Sequence, residues 1–365
     1  MITFMRVASL SVLLIVSSCG SRADEQGALG SSGTSLTNAS VTSGESISLV
    51  AITNVDQPVD AAMRFDDPAL YIASRLGVVY RVTSSESVLP VFDITNRTTG
   101  SGERGLLGLA FAPDGSKAYL NYTDLAGDTK IVQVDVSSDG IFVQSSLTVL
   151  LSISQPYANH NAGDIVVESS GTLLVATGDG GSAGDPLRVA LSSDSLLGKV
   201  LRIDPITLRV SILAKGLRNP WRVDLYKDQL WLADVGQNKY EEINVLENVE
   251  KITGPQDFGW SAYEGYSLYN KDQSSPGHLP PRLSYEHGED GCSISGGAVA
   301  SEGSLLNRYV FADYCSGRVW SVDTNEPNPV KVMHFDKVDN PVAVVRAGNK
   351  LLVLSLSGTV WQIKG

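Results

Sequence analysis

Six times along this chain of 365 residues, a short apolar strand, a polar turn and a second apolar strand follow one another. The copies are Leu70–Val82, Lys117–Val136, Leu173–Asp204, Gln229–Leu246, Tyr309–Val322 and Lys350–Ile363. The first, fifth and sixth nearly superimpose. LYIASRLGVVYRV, YVFADYCSGRVWSV and KLLVLSLSGTVWQI each close their turn on a glycine before Val-Val-Tyr or Val-Trp. Copies begin roughly 40–80 residues apart, and a propeller blade needs about 40–50, the surplus being loop insertion. Each hairpin has an apolar face that it cannot bury alone, and helical periods are nearly absent. Both facts predict an all-β fold, a six-bladed β-propeller closed around a central channel. The run Ser46–Thr53 reads as one further strand, placed to complete the last blade and lock the ring. A β-sandwich is the competing architecture, but it does not call for so many similar hairpins.

A hydrophobic fraction of 42% supplies a large core, and an all-β chain of this length can be one domain. The formal net charge of −12 argues against nucleic acid as a partner, since that needs a basic footprint. It is compatible with calcium, although a solvated acidic surface explains such a balance as well. At the start, Arg6 precedes the apolar run Val7–Val16, which is too short to span a bilayer. The following Val16-Ser17-Ser18-Cys19 reads as a bacterial lipobox. Residues 1–18 are then a lipoprotein signal peptide, and residues 19–45 a lipidated Cys19 with a Gly/Ser/Thr-rich tether. Such a tether reaches about 30 Å by random-coil scaling. The folded domain spans 46–365. This places the protein in the bacterial cell envelope, on the periplasmic or outer-surface side, touching the membrane through its anchor only. A cleaved signal with an incidental cysteine is the alternative. For an exported chain, Cys292 and Cys315 read as a disulfide, with two free thiols as the alternative. No C-x-x-C spacing suggests zinc.

Five segments carry the polar chemistry: GERGLLGLAFAPD (102–114), NHNAGD (159–164), TGDGG with SLLGKVLRID (177–181, 195–204), GLRNPWR (216–222) and DVGQN…EEIN (234–244). In the last two, a guanidinium beside an amide precedes a turn rich in backbone oxygens. That arrangement can hold an anionic ligand and a hard cation, and a structural loop pinned by an arginine is the bland alternative. None of the glycine-rich loops opens a helix, which argues against phosphate cradling.

In combination these motifs, over about residues 50–365, resemble the soluble quinoprotein glucose/sorbosone dehydrogenase family. Its relatives include aldose sugar dehydrogenases and hedgehog-interacting-protein-like propellers. The resemblance implies a six-bladed propeller that binds pyrroloquinoline quinone (PQQ) and Ca2+ over its channel. It also implies an enzyme that oxidises the anomeric carbon of a sugar, with the electron acceptor left open. Carried over by motif, His160 is the general base and Asp179 orients it. Arg218 and Asn219 contact the quinone, Arg218 stabilising the negative charge that grows there. The carbonyls of Gly236 and Gln237 hold the cofactor calcium. Glu242 matches a ligand of a second, structural calcium, or else is a surface carboxylate beside Glu241. Glu103 stands near the cofactor where the family commonly has glutamine.

The departures concern cations. The family supplies a lysine before the fifth repeat and an Arg-x-Arg pair before the last. Here residues 297–301 and 339–344 contain no basic residue. Lys337, Arg346 and Arg188 are the residues left to fill that gap. The cysteines in GCSISGG and DYCSG lean toward the hedgehog-interacting-like branch, which makes a non-enzymatic glycan- or protein-binding propeller the alternative function. A calcium-assisted lactone or ester hydrolase is a third reading. It requires a central calcium ringed by Asn, Asp and Glu side chains.

Overall fold

The computed structural model describes residues 46–84 and 87–365, so Cys19, the signal segment and most of the tether lie outside it. Six sheets of four or five strands make the six blades. Each repeated unit is the middle hairpin of one blade. In blade 1 it is Leu70–Ser74 paired with Val78–Ser84, flanked by Pro58–Met63 toward the channel and Ser87–Asp93 outside. Blades 2 to 5 start with Leu106–Phe111, Ile165–Val167, Pro220–Tyr226 and Ile294–Val299. Blade 6 consists of Pro341–Ala347, Lys350–Ser355 and Thr359–Lys364, and its fourth strand is Ser48–Asn54 from the beginning of the chain. The antiparallel register runs from Ser48 opposite Lys364 to Asn54 opposite Thr359. The expectation for Ser46–Thr53 is met.

The core lies between blades, as hairpins with one unburied face require. Leu70 and Ile72 of blade 1 pack on Val345, Leu352 and Leu354 of blade 6. Trp231 of blade 4 stacks on Tyr309 of blade 5 with ring centroids 4.8 Å apart. Fully burying one such side chain contributes about 1.5–3 kcal/mol, so each blade depends on both neighbours.

Five of the six inner strands open with a register irregularity, three of them directly after a proline: Pro58, Pro220 and Pro341. Proline is tolerated at a strand's first residue, and a bulge there bends the strand and re-aims its side chains. Carboxylates then stitch blades together. Asp60 accepts the Leu109 N–H of blade 2 at 2.7 Å, Asp164 the Val223 N–H at 2.8 Å, and Asp224 the Val299 N–H at 2.8 Å. Arg222, wholly buried, crosses the waist of the channel. Its guanidinium lies 3.2 Å from Asp164 and 3.7 Å from Asp60, and donates to the Leu107 carbonyl. Arg346 donates to Asp224 at 2.7 Å. Burial, with Asp164 close by, pushes the Asp60 carboxyl up to about 7.

Candidate functional site

Above the waist the channel widens into a bowl of about 480 Å³. Glu103, His160, Arg218, Asn219, Gly236 and Gln237, scattered over four of the five segments, all line it. Asp179 stands directly behind His160, and Glu242 does not reach the bowl.

His160 occupies a loop between blades 2 and 3, with φ of 57° at His160 and 41° at Ala162. Left-handed backbone at non-glycine residues costs about 1–3 kcal/mol each, so something must hold it. Glu103 Oε2 accepts the N–H groups of His160 (2.7 Å) and Asn161 (3.3 Å), and Asn219 Oδ1 accepts that of Ala162 (3.0 Å). Gly178 lets the strand bearing Asp179 approach, because a Cβ there would overlap the His160 carbonyl. His160 Nδ1 then lies 2.6 Å from Asp179 Oδ1, with both residues almost fully buried. Asp179 is itself fixed by the Gly181 N–H on Oδ1 (3.0 Å) and the Trp260 indole N–H on Oδ2 (2.8 Å). A carboxylate on Nδ1 selects the Nδ1–H tautomer and leaves Nε2 with a bare lone pair. No hydrogen bond among the described residues engages Nε2.

The Arg218–Asn219 corner is organised by Asp234, whose two oxygens accept the backbone N–H groups of Arg218 (2.9 Å) and Asn219 (2.6 Å). Burial pushes the Asp234 carboxyl up to about 7, against the pull of those donors. The Arg218 guanidinium rests on the Val235 carbonyl (2.8 Å) and Gln237 Oε1 (3.3 Å), 5.7 Å above the Trp260 ring. Asn219 Nδ2 donates to Glu103 Oε2 at 3.1 Å. Glu103 therefore faces three N–H donors, whereas Arg104 turns away toward the Tyr157 carbonyl.

The loop after Val235 is drawn inward by acids. Glu264 Oε1 accepts the N–H groups of Gln237, Asn238, Lys239 and Tyr240 at 2.7–3.2 Å. Glu241 accepts the Gly236 and Ile294 N–H groups and holds His287 Nε2 at 2.6 Å, which raises the pKa of that imidazole. No hydrogen bond among the described residues ends on the Gly236 or Gln237 carbonyl. Glu242 accepts the Gly265 N–H (2.6 Å) and the Asn244 amide (3.0 Å) one layer behind the bowl. Burial pushes it up to about 8, with Asp234 and Glu264 adding to the shift.

The opposite wall, from blades 5 and 6, is neutral: Cys292, Ser293, Ser295, Val342 and Leu356. Cys292 and Cys315 form a disulfide with Cα atoms 5.6 Å apart. Asp313 holds the same loops by accepting the N–H groups of Ser293 and Cys315, both at 2.8 Å. Trp221 spans the floor, its indole N–H on the Val342 carbonyl at 2.8 Å. None of the three basic residues left to fill the gap reaches the bowl. Arg346 is bound to Asp224 at the waist, Arg188 bonds the Asp272 carbonyl, and Lys337 is exposed. The cation that does line this side is Arg75, from the turn of the first repeat. Sequence reasoning passed over it, together with Trp260 and Glu264. A charged residue in a mouth turn between two apolar strands was the available signal for Arg75.

Fold and bowl define a class: a six-bladed propeller whose channel is crossed by a buried arginine and carries a buried His–Asp pair above it. The chain belongs to the glucose/sorbosone dehydrogenase family, whose model matches residues 55–308, more than half of it. Among solved structures, the PQQ-bound aldose sugar dehydrogenase of Streptomyces coelicolor superposes with a TM-score of 0.72 at 19% identity, covering 87% of this chain and 98% of that one. The apo-form of the soluble aldose sugar dehydrogenase of Escherichia coli gives 0.72 at 16% identity, with 87% and 99% covered. At such identities the likeness bears on the fold. HIPL1 protein of Arabidopsis thaliana is 29% identical over 220 residues, 47% of this chain and 31% of that protein. HIPL2 protein of the same plant is 29% identical over 224 residues, again 31% of its length. The match thus spans about a third of these curated relatives.

Proposed function

We propose that the bowl binds PQQ with a calcium ion and oxidises an aldose, or a related alcohol, at the propeller mouth. One observation carries the reading. His160 Nδ1 is held 2.6 Å from Asp179 while Nε2 carries no hydrogen bond among the described residues, and His160 and Arg218 line the same cavity. The donor set suits the cofactor: a guanidinium resting on neutral acceptors for an anionic quinone, and two carbonyls free of hydrogen bonds for a hard cation. The volume also suits a small planar ligand and a sugar ring, within the usual range of about 300–1,000 Å³.

When bound, PQQ supplies the acceptor for the hydride leaving the sugar carbon, and calcium a Lewis acid beside it. His160 Nε2 takes the proton of the hydroxyl on the carbon being oxidised. Asp179 keeps the ring oriented and stabilises the imidazolium that results. Arg218 sets positive charge where negative charge develops, and its stack on Trp260 keeps that charge in place. Glu242, whose carboxyl burial pushes up to about 8, would have to give up its proton to hold a second cation. The test is a titration of calcium-loaded protein with PQQ, followed by dye reduction with a panel of aldoses. Absence of both a quinone absorbance change and dye reduction would overturn the proposal.

The envelope location through a lipidated Cys19 belongs to the same proposal, and Cys19→Ser should release the protein from the membrane fraction. The neutral wall of blades 5 and 6, together with the similarity to HIPL proteins, favours a second reading: a non-enzymatic propeller that uses the same mouth for a glycan or protein. On that reading His160→Ala leaves partner binding intact. Nothing supports the hydrolase, because the waist carboxylates it would need are engaged by backbone N–H groups and two arginines.

A further inference from the structure

The bowl holds two guanidinium groups, and neither has a carboxylate partner. Arg218 rests on a carbonyl and an amide oxygen. Arg75 is arranged in the same way from the opposite direction. Its Nε and Nη2 both donate to Gln57 Oε1, at 2.9 and 2.6 Å, and Nη1 donates to the Gly102 carbonyl. Its backbone N–H bonds the Gln57 carbonyl at 2.9 Å, so turn and side chain are fixed on one residue. Gly105 packs against the Arg75 stem, and a Cβ at that position would collide with it. Partial burial draws the Arg75 pKa down, and the nearby hydroxyl of Tyr314 in blade 5 opposes that shift. The one carboxylate lining the bowl, Glu103, already accepts three N–H donors on a single oxygen.

Two cations held on neutral oxygens, Arg218 buried and Arg75 half-buried, in a chain of net charge −12, imply an anion that is to be shared between them. Gln57 lies in the link between the closing strand of blade 6 and the first strand of blade 1. Arg75 therefore stands next to the blade that lacks its expected basic pair. We infer that Arg75 and Arg218 form a two-point clamp for a planar ligand bearing at least two carboxylates, with Arg75 replacing from blade 1 the cations missing from blades 5 and 6. This builds on the proposed cofactor site, since PQQ is such a ligand, but the clamp can be tested without it.

The experiment is calorimetric titration of the full, calcium-loaded chain with PQQ and, separately, with benzene-1,3,5-tricarboxylate, which has no quinone. Wild type is compared with Arg75→Gln and Arg75→Lys. Removing one charge-assisted contact should weaken both ligands about 10- to 100-fold in Arg75→Gln, with a shallower dependence on salt. Arg75→Lys should recover part of that loss. If Arg75→Gln fails to fold, Arg75→Lys decides alone, and an affinity and salt dependence equal to wild type overturn the clamp. Unchanged PQQ affinity in Arg75→Gln also overturns the clamp but leaves the cofactor reading standing. Arg75-dependent binding of the tricarboxylate without any binding of PQQ supports the clamp and overturns the cofactor reading. If wild type binds neither, both fall.

Discussion

Blades 3 and 4 line their side of the bowl with side chains fixed by named partners, whereas blades 5 and 6 offer a disulfide, two serines and aliphatic groups. On the first side, each functional group is aimed by a carboxylate that has no exit to solvent. Asp179 aims His160, Asp234 aims the Arg218–Asn219 corner, and Glu264 turns the Gln237 loop. On the second side, a covalent bridge and Asp313 hold the loops and leave the lining side chains free of any orienting duty. A buried polar network tolerates little change, because each lost partner strands a charge or a donor. A stapled neutral wall can change its lining at small cost.

The sharpest way to break the comparison is to disable one side at a time. Asp179→Asn should leave PQQ affinity within about threefold and lower turnover by about 10²–10⁴, because the amide favours the wrong His160 tautomer. Steady-state rates at saturating sugar read this, and a loss below tenfold would remove His160 from the chemistry. On the other side, replacing Cys292 and Cys315 by serine should lower unfolding stability by about 2–4 kcal/mol in a urea titration while turnover stays within about threefold. A collapse of turnover there would mean that the neutral wall takes part in the reaction.

Per pH unit, the smallest effect concerns the waist beneath both walls. Burial raises the Asp60 carboxyl to about 7, and that of Asp164 is raised as well. Between the ordinary carboxylate range and pH 7 the folded chain keeps a proton that the unfolded chain has released. Stability should therefore fall as pH rises through that window, by at most about 1.4 kcal/mol per pH unit for each proton. Unfolding midpoints measured from pH 5 to 8 should show this slope, and Asp60→Asn should make it shallower, with Asp164, Asp234 and Glu242 supplying the remainder. An unchanged slope in that variant would locate the titration elsewhere.

Sequence made the blades legible because hairpin alternation is local: every one of the six repeated units is the centre of one sheet. The His160–Asp179 pair was legible through motif context, and the structure brings the two rings of contact together across only nineteen residues. What stayed hidden acts between distant segments. Trp260 reaches Asp179 over a separation of 81 residues, and Arg222, quoted within a motif, reveals its place at the waist only through Leu107, 115 residues away. Glu242, for which the motif implies a second, structural calcium, lies apart from the bowl as that role requires. It is neither a lining residue nor a surface carboxylate, but a part-buried acid behind the bowl. Arg75 is hidden for a related reason, since nothing local marks a turn of blade 1 as the neighbour of the last blade.

The pairing of Ser48–Asn54 with Thr359–Lys364 also fixes an order of events. Bringing those strands together closes a loop of about 310 residues, an entropic penalty of about 5 kcal/mol by the logarithmic loop law. Contacts so far apart in sequence also slow folding. As the chain emerges from the ribosome, blades 1 to 4 can assemble the His160–Asp179 pair and the Arg218 corner. Val342 and Leu356 arrive only with the final blade, and Gln57, which holds Arg75, sits at the seam that this blade closes. The side of the bowl that carries His160 and Arg218 is thus made first, and the ring closes last.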